Sequence, residues 1–132
     1  VNTVHIVSFG YLHGPPPEAD LTADLRRYLY DPAAARAGAM LNLNGLHAEV
    51  SEFVLRSPAA QTTVRLIVEF AQAAGAGCTI AVGCAGGRHR SVAIAEAAAA
   101  ALLASGITVA VDHRHVERDR LPLTPREGNQ PC

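Results

Sequence analysis

The segment Gly83-Cys84-Ala85-Gly86-Gly87-Arg88-His89-Arg90-Ser91 gathers three glycines, two arginines, a histidine, a thiol and a hydroxyl within nine residues. A strand ending at Gly83 and a helix beginning near Arg88 would place this turn at a helix N-terminus. There, unpaired backbone N–H groups and the positive end of the helix dipole attract an anion. Gly86 and Gly87 allow several N–H groups to converge on one oxyanion without a side chain in the way. Arg88, His89 and Arg90 add positive charge; a guanidinium can give two hydrogen bonds to one phosphate, and Ser91 can give another. The expected ligand is therefore phosphate-bearing, with contacts from Cys84, Ala85, Gly86, Gly87, Arg88, His89, Arg90 and Ser91. No G-x-x-x-x-G-K-[ST] pattern occurs in the 132 residues, so ATPase chemistry of that type has no support.

The same residues also read as C-x-x-G-x-x-R-S, a pattern that looks like the signature of cysteine-dependent phosphatases. In that alternative Cys84 would be the nucleophile, Arg90 and the loop N–H groups would hold the equatorial oxygens, and Ser91 would assist thiolate departure. Asp24 or Asp112 would supply the acid. Against it, Gly83 stands where many such enzymes have His, and no aspartate lies in a recognisable acid-loop motif. Binding ranks first and hydrolysis second, so no catalytic residue is expected on the leading reading.

In a parallel α/β sheet the loops after successive strands emerge at one carboxyl edge, so His13 can approach Gly86. His13, Asp20, Asp24 or Arg26 is expected to contact a sugar or other polar body attached to the phosphate. His113 and His115 are alternate residues past the last strand, but this spacing alone makes a weak metal site. No carboxylate cluster supports magnesium, and no metal or other cofactor is expected. His5 and His47 read as ordinary surface histidines.

These residues need elements to hold them. Val4–Phe9 is a β-rich run stopped by Gly10, and Gly14 with Pro15, Pro16 and Pro17 forces a loop. Asp20 or Thr22 can cap a helix running through Leu25 and Leu29 until Asp31-Pro32. Residues 38–45 read as a loop, and helical spacing returns from Leu46 to Val54, ending at Ser57-Pro58. A helical stripe of Val64, Ile67, Val68 and Ala71 closes at Gly75-Ala76-Gly77. Cys78–Val82 is a second strand. Ser91–Ser105 is a strong helix former that is apolar nearly all round, hence buried, and Ile107–Val111 is a third strand. Strands alternating with helices predict an α/β domain: a small, mainly parallel sheet flanked by helices, with the ligand loop after a central strand.

The chain length suits one domain, expected over 1–120 with a flexible tail at 121–132. Apolar residues make up 49% and charged residues 17%, a balance that supports a packed core and argues against a disordered chain. The formal charge of -1 provides no global field for nucleic acid or a membrane surface. Cys78, Cys84 and Cys132 have no metal-ligand spacing and suit a reducing compartment. No apolar run approaches the roughly 18 residues of a membrane span. A cytoplasmic protein without a membrane partner is expected.

GCAGGRHRS, together with SFGYLHG near the N-terminus, resembles the C-terminal domain of the RapZ/YvcJ family of nucleotide-binding proteins and RNase adapters. The resemblance runs from about Val4 to about Arg120. Its anchors include Ser8-Phe9-Gly10, His13-Gly14, Asp20, Asp24-Leu25-Arg26, Gly45, Ala95-Glu96 and His113-Arg114. It implies a module that binds an amino-sugar phosphate and small regulatory RNA, with RNA or a ribonuclease as partner. The family's P-loop segment has no counterpart in these residues, so nucleotide hydrolysis is not carried over. The RNA-contacting residues implied are His113, Arg114, Arg118 and Arg120. Asp112 and Asp119 interrupt that basic segment, which weakens its phosphate footprint.

Overall fold

Apolar residues alternate with others along Thr3–Gly10, the pattern of a strand that buries one face. In the computed structural model this segment is β1, and the structure describes residues 3–29 and 42–118. The other strands are β2 (Leu21–Asp24), β3 (Thr79–Cys84) and β4 (Thr108–His113). The helices are α1 (Ala48–Leu55), α2 (Pro58–Ala74) and α3 (Arg90–Ala104). The sheet order is β2-β3-β1-β4 and every pairing is parallel, which confirms the α/β class.

The one element whose type departs from expectation is the stretch after Asp20. Leu21–Asp24 is an edge strand paired with Ile80–Gly83, and not the start of a helix. Four residues are too few for periodicity to separate strand from helix, and pairing with β3 overrides the helix propensity of Leu21 and Ala23. The sheet thus has four strands where three were expected. The Asp31-Pro32 breaker, residues 38–41 of the expected loop and the tail at 121–132 lie outside the described residues.

Packing follows from α3. Nine of its residues are buried, including Val92, Ala93, Ile94, Ala95, Ala98 and Leu102, because it packs on β1, β3 and β4 while touching α1 and α2. Small alanines let the neighbouring elements approach closely. The core is one cluster of Val4, Ile6, Ile80, Val82 and Cys84 from the sheet with Val50, Val54, Ile67, Ala71 and Leu102 from the helices. Phe9 and Ala81, also buried, lie outside that cluster on the other sheet face, where no described helix packs.

Ser57 begins α2: its hydroxyl accepts the Ala60 N–H at 3.1 Å, and Pro58 occupies the first helical position. Ser57→Ala should lower unfolding stability by about 1 kcal/mol. Denaturant midpoints should show it, with the slope unchanged.

Candidate functional site

The chain leaves β1 toward β2 on one side of the sheet and leaves β3 toward β4 on the other. Adjacent strands whose connections depart in opposite directions open a crevice at their carboxyl ends, where α/β folds bind ligands. Gly10 and Cys84 are register partners at that point. The turn from Ala85 to His89 and the short helical turn Tyr11–His13 therefore face one another there.

Glycine decides how closely they meet. A Cβ on Gly10 would lie 2.4 Å from the Gly86 carbonyl carbon and 2.7 Å from Gly87 N. Gly87 has φ 76°, a left-handed conformation that suits glycine, and its own Cβ would lie 2.9 Å from Cβ of His115. The glycines thus bring backbone against backbone. Gly83 to Gly87 are all buried, so the turn is covered, which differs from the open anion cradle expected of the sequence.

The basic side chains of the turn reach into the protein. Arg90 is fully buried and donates through Nη1 to the Leu29 carbonyl at 3.0 Å and to the Arg26 carbonyl at 3.5 Å. His89, also fully buried, lies 2.6 Å through Nε2 from the Leu43 carbonyl. A carbonyl only accepts, so Nε2 carries the proton. Arg88 is partly exposed, donating to the Arg118 carbonyl and, at 3.4 Å, to that of Leu43. Cys84 Sγ receives the Gly87 N–H at 3.3 Å and sits 3.2 Å from Ser91 Oγ. The N-cap residue of α3, His89, makes no side-chain cap to the helix, and the first turn contains no acidic residue.

Asp24 and Arg26 form a separate cluster at the same carboxyl edge. Asp24 pairs in register with Gly83, and a Cβ on Gly83 would strike the Phe9 and Tyr11 rings at 2.4 and 2.6 Å. That contact explains why glycine stands where a phosphatase would have His. The Arg26 guanidinium lies 3.7 Å over the Tyr11 ring and makes a two-pronged pair with Asp24, at 3.0 and 2.7 Å. This pairing holds the Asp24 carboxyl below its ordinary value, whereas burial and then the Asp24 charge push the Tyr11 hydroxyl up.

His13 stacks against His115, with ring centroids 4.6 Å apart. His115 accepts the Gly10 N–H at Nδ1, 2.8 Å away. His113 bridges Ser8 Oγ and Glu96 Oε2, each at 2.6 Å. Arg114 and Arg118 are exposed, and Arg120 lies outside the described residues. Asp20 sits at the opposite edge of the sheet, exchanging hydrogen bonds with Thr79, roughly 16 Å of strand away from the glycine turn. Asp112 pairs with Val7, so its side chain projects from the face opposite the one on which His113 meets Ser8 and Glu96. Cys84 belongs to the core on the helix side, which separates it from that aspartate. Among the described residues no group of three His, Cys, Asp or Glu side chains could hold a metal ion, and no helix is long and apolar enough to cross a membrane.

A family model described as the RapZ C-terminal domain matches residues 2–117. The chain belongs to the RapZ C-terminal domain family. It is 35% identical over 128 residues to a nucleotide-binding protein of Heliobacterium modesticaldum, covering 89% of this chain and 40% of that one. A nucleotide-binding protein of Streptomyces coelicolor is 38% identical over 122 residues, with 86% and 40% covered. One from Frankia casuarinae is 41% identical over 122 residues, with 86% and 41% covered. The chain thus spans about two fifths of the length of these curated relatives. Within the RapZ C-terminal fold, sequence reasoning chose the turn, His13, Asp24 and Arg26; it gave no role to Leu43, and it named Gly10, Tyr11, Ser8 and Glu96 only within the motifs that carry the resemblance. Their contributions are backbone groups or contacts between segments distant in sequence, which no local pattern specifies.

Two outcomes follow from this geometry. Gly10→Ala should destabilise the fold by about 1–3 kcal/mol through overpacking at the turn, read from chemical denaturation. Asp24 contributes stability above its unfolded value of about 3.9 and loses it as pH falls through its lower folded value. Carboxyl-carbon NMR should accordingly find Asp24 titrating below the ordinary range in the native chain and near it in Arg26→Met.

Proposed function

We propose that this chain is a non-catalytic regulatory module that binds a phosphorylated small molecule at the Gly83–Ser91 turn. One observation carries the reading: the fifteen-residue helix α3 begins at the carboxyl-edge crevice with no cap from its N-cap side chain and no acidic residue in its first turn, beside Arg88 and Arg90. An N-terminus of this kind attracts an anion through its N–H groups and dipole. Arg88, the partly exposed residue of the turn, is the first side chain an incoming phosphate would meet. Exchanging the Arg118 carbonyl for a phosphate oxygen gives Arg88 a stronger, charge-assisted hydrogen bond. His13, Asp24 and Arg26 occupy the same edge and are the proposed contacts for the rest of the ligand. The relatives' name, nucleotide-binding protein, favours a phosphate-bearing ligand; the resemblance favours an amino-sugar phosphate.

A phosphatase reading has one observation behind it, the Gly87 N–H directed at Cys84 Sγ. It is the weaker reading because Cys84 is fully buried, Arg90 bonds to backbone carbonyls, and Asp112 projects from the far face. An RNA partner would rest on Arg114 and Arg118, since His113 is engaged by Ser8 and Glu96.

Backbone amide NMR during titration with glucosamine 6-phosphate, glucosamine, ATP and inorganic phosphate tests the proposal. Saturable shifts at Gly86, Gly87 and Arg88 with glucosamine 6-phosphate, absent with glucosamine, are expected. Arg88→Ala should weaken that binding about tenfold. No shift at these residues with any phosphate ester would overturn the reading. Cys84-dependent release of phosphate from an aryl phosphate, abolished in Cys84→Ser, would favour the enzyme instead.

A further inference from the structure

The segment Arg114–Arg118 runs beside the glycine turn as a strap. Arg114 N–H still pairs with the Ser8 carbonyl, continuing the β1–β4 ladder by one step. Beyond it, His115 accepts the Gly10 N–H, Val116 is buried at 8% exposure, and the Arg118 N–H closes a turn on the His115 carbonyl. Arg88 then ties the glycine turn to the Arg118 carbonyl. A Cβ on Gly87 would lie 2.7 Å from Gly10 N and 2.9 Å from Cβ of His115, so the strap packs closely against the turn.

We infer that His115 is a proton-operated latch: its neutral ring keeps the glycine turn covered, and protonation at Nδ1 releases it. The Gly10 amide can only donate, so the bond exists while Nδ1 holds a lone pair. A proton on Nδ1 sets N–H against N–H at 2.8 Å and turns the closing contact into a repulsive one.

Most of the charged groups that face the ring add to this. The Tyr11–His13 turn presents His13, stacked on the ring, and a second imidazolium there would repel the first. The strap contributes the cations Arg114 and Arg118, and the glycine turn contributes Arg88, bound to the Arg118 carbonyl. From β4, Asp112 acts in the opposite direction. Burial, then His13, Arg118 and Arg114, hold the His115 ring below its ordinary value, consistent with a latch closed at neutral pH. For a base with a lowered folded value, the closed state is fully favoured above the ordinary imidazole value of about 6.5 and loses that advantage as pH falls below it. Val116 keeps the strap attached, so release is local and reversible.

The latch stands on the geometry of the turn and not on its ligand, so no ligand enters the test. The ¹⁵N-labelled 132-residue chain and its His115→Asn variant are compared by amide hydrogen exchange between about pH 7.5 and about pH 5. Asn keeps an acceptor near the Nδ1 position but does not titrate. Protection at Gly10 and Gly87, relative to Ile6 and Ile80 in the sheet, should fall in the native chain about tenfold for each unit separating the closed and open values of His115. In the variant it should stay level. Imidazole ¹⁵N shifts should show Nδ1 of His115 unprotonated at the higher pH and protonated at the lower. Nδ1 that stays unprotonated at about pH 5, identical pH dependence in both chains, or loss of Ile6 and Ile80 protection in step with Gly10 would each overturn the latch. If the variant does not fold, the ring shifts and the Gly10-to-Ile6 comparison in the native chain decide alone.

Discussion

The contact between Gly10 and the Gly86–Gly87 backbone is the constraint on which the rest of the site depends. It lies where two adjacent parallel strands send their connections in opposite directions, a place where a sheet would otherwise open into a crevice. With no side chain on either partner, the two loops close on one another, and there is no room for a methyl group between them. That closeness places His115 on Gly10, His13 on His115 and Cys84 Sγ on the Gly87 N–H. The turn and the groups that touch it are positioned by a backbone approach that only glycine permits.

Around this contact the charges of the turn act as struts. Burying a guanidinium is expensive unless hydrogen bonds replace its water. Arg90 uses the Leu29 and Arg26 carbonyls in this way, and His89 uses that of Leu43. These bonds join the segments after β2 and before α1 to the start of α3. The positive charge therefore remains near the helix N-terminus, while much of its hydrogen-bonding capacity holds loops in place. Arg88, at the rim, combines partial exposure with bonds that an anion could replace.

The sheet is asymmetric in the same sense. Its helix side is a continuous apolar cluster centred on α3, whereas the other side has the short stack of Phe9, Tyr11, Arg26 and Asp24 near the carboxyl edge. Gly83 links the two, with its missing side chain making space for the aromatic rings on one face while Cys84, next in sequence, points to the other. A single strand end thus supplies the turn with both its thiol and its aromatic floor.

The long elements were legible because they repeat a signal. The stripe of α2, the alanine- and leucine-rich run of α3 and the β-branched runs of β1, β3 and β4 each extend over enough residues to fix their type. The family was legible as well, through two separated motifs whose order and composition lie in the chain itself. The edge strand Leu21–Asp24 was not legible, since four residues carry no decisive period and its partner lies far along the chain. The glycine turn was found from composition alone, but whether its glycines open a cradle or close a contact depends on what stands opposite, and Gly10 is 73 or more residues away. Likewise, a sequence shows that His113 and His115 alternate; only the parallel register of β4 with β1 sets the first against Ser8 and the second against the Gly10 amide. Local chemistry was determined by residue identity, and its direction was decided by non-local pairing.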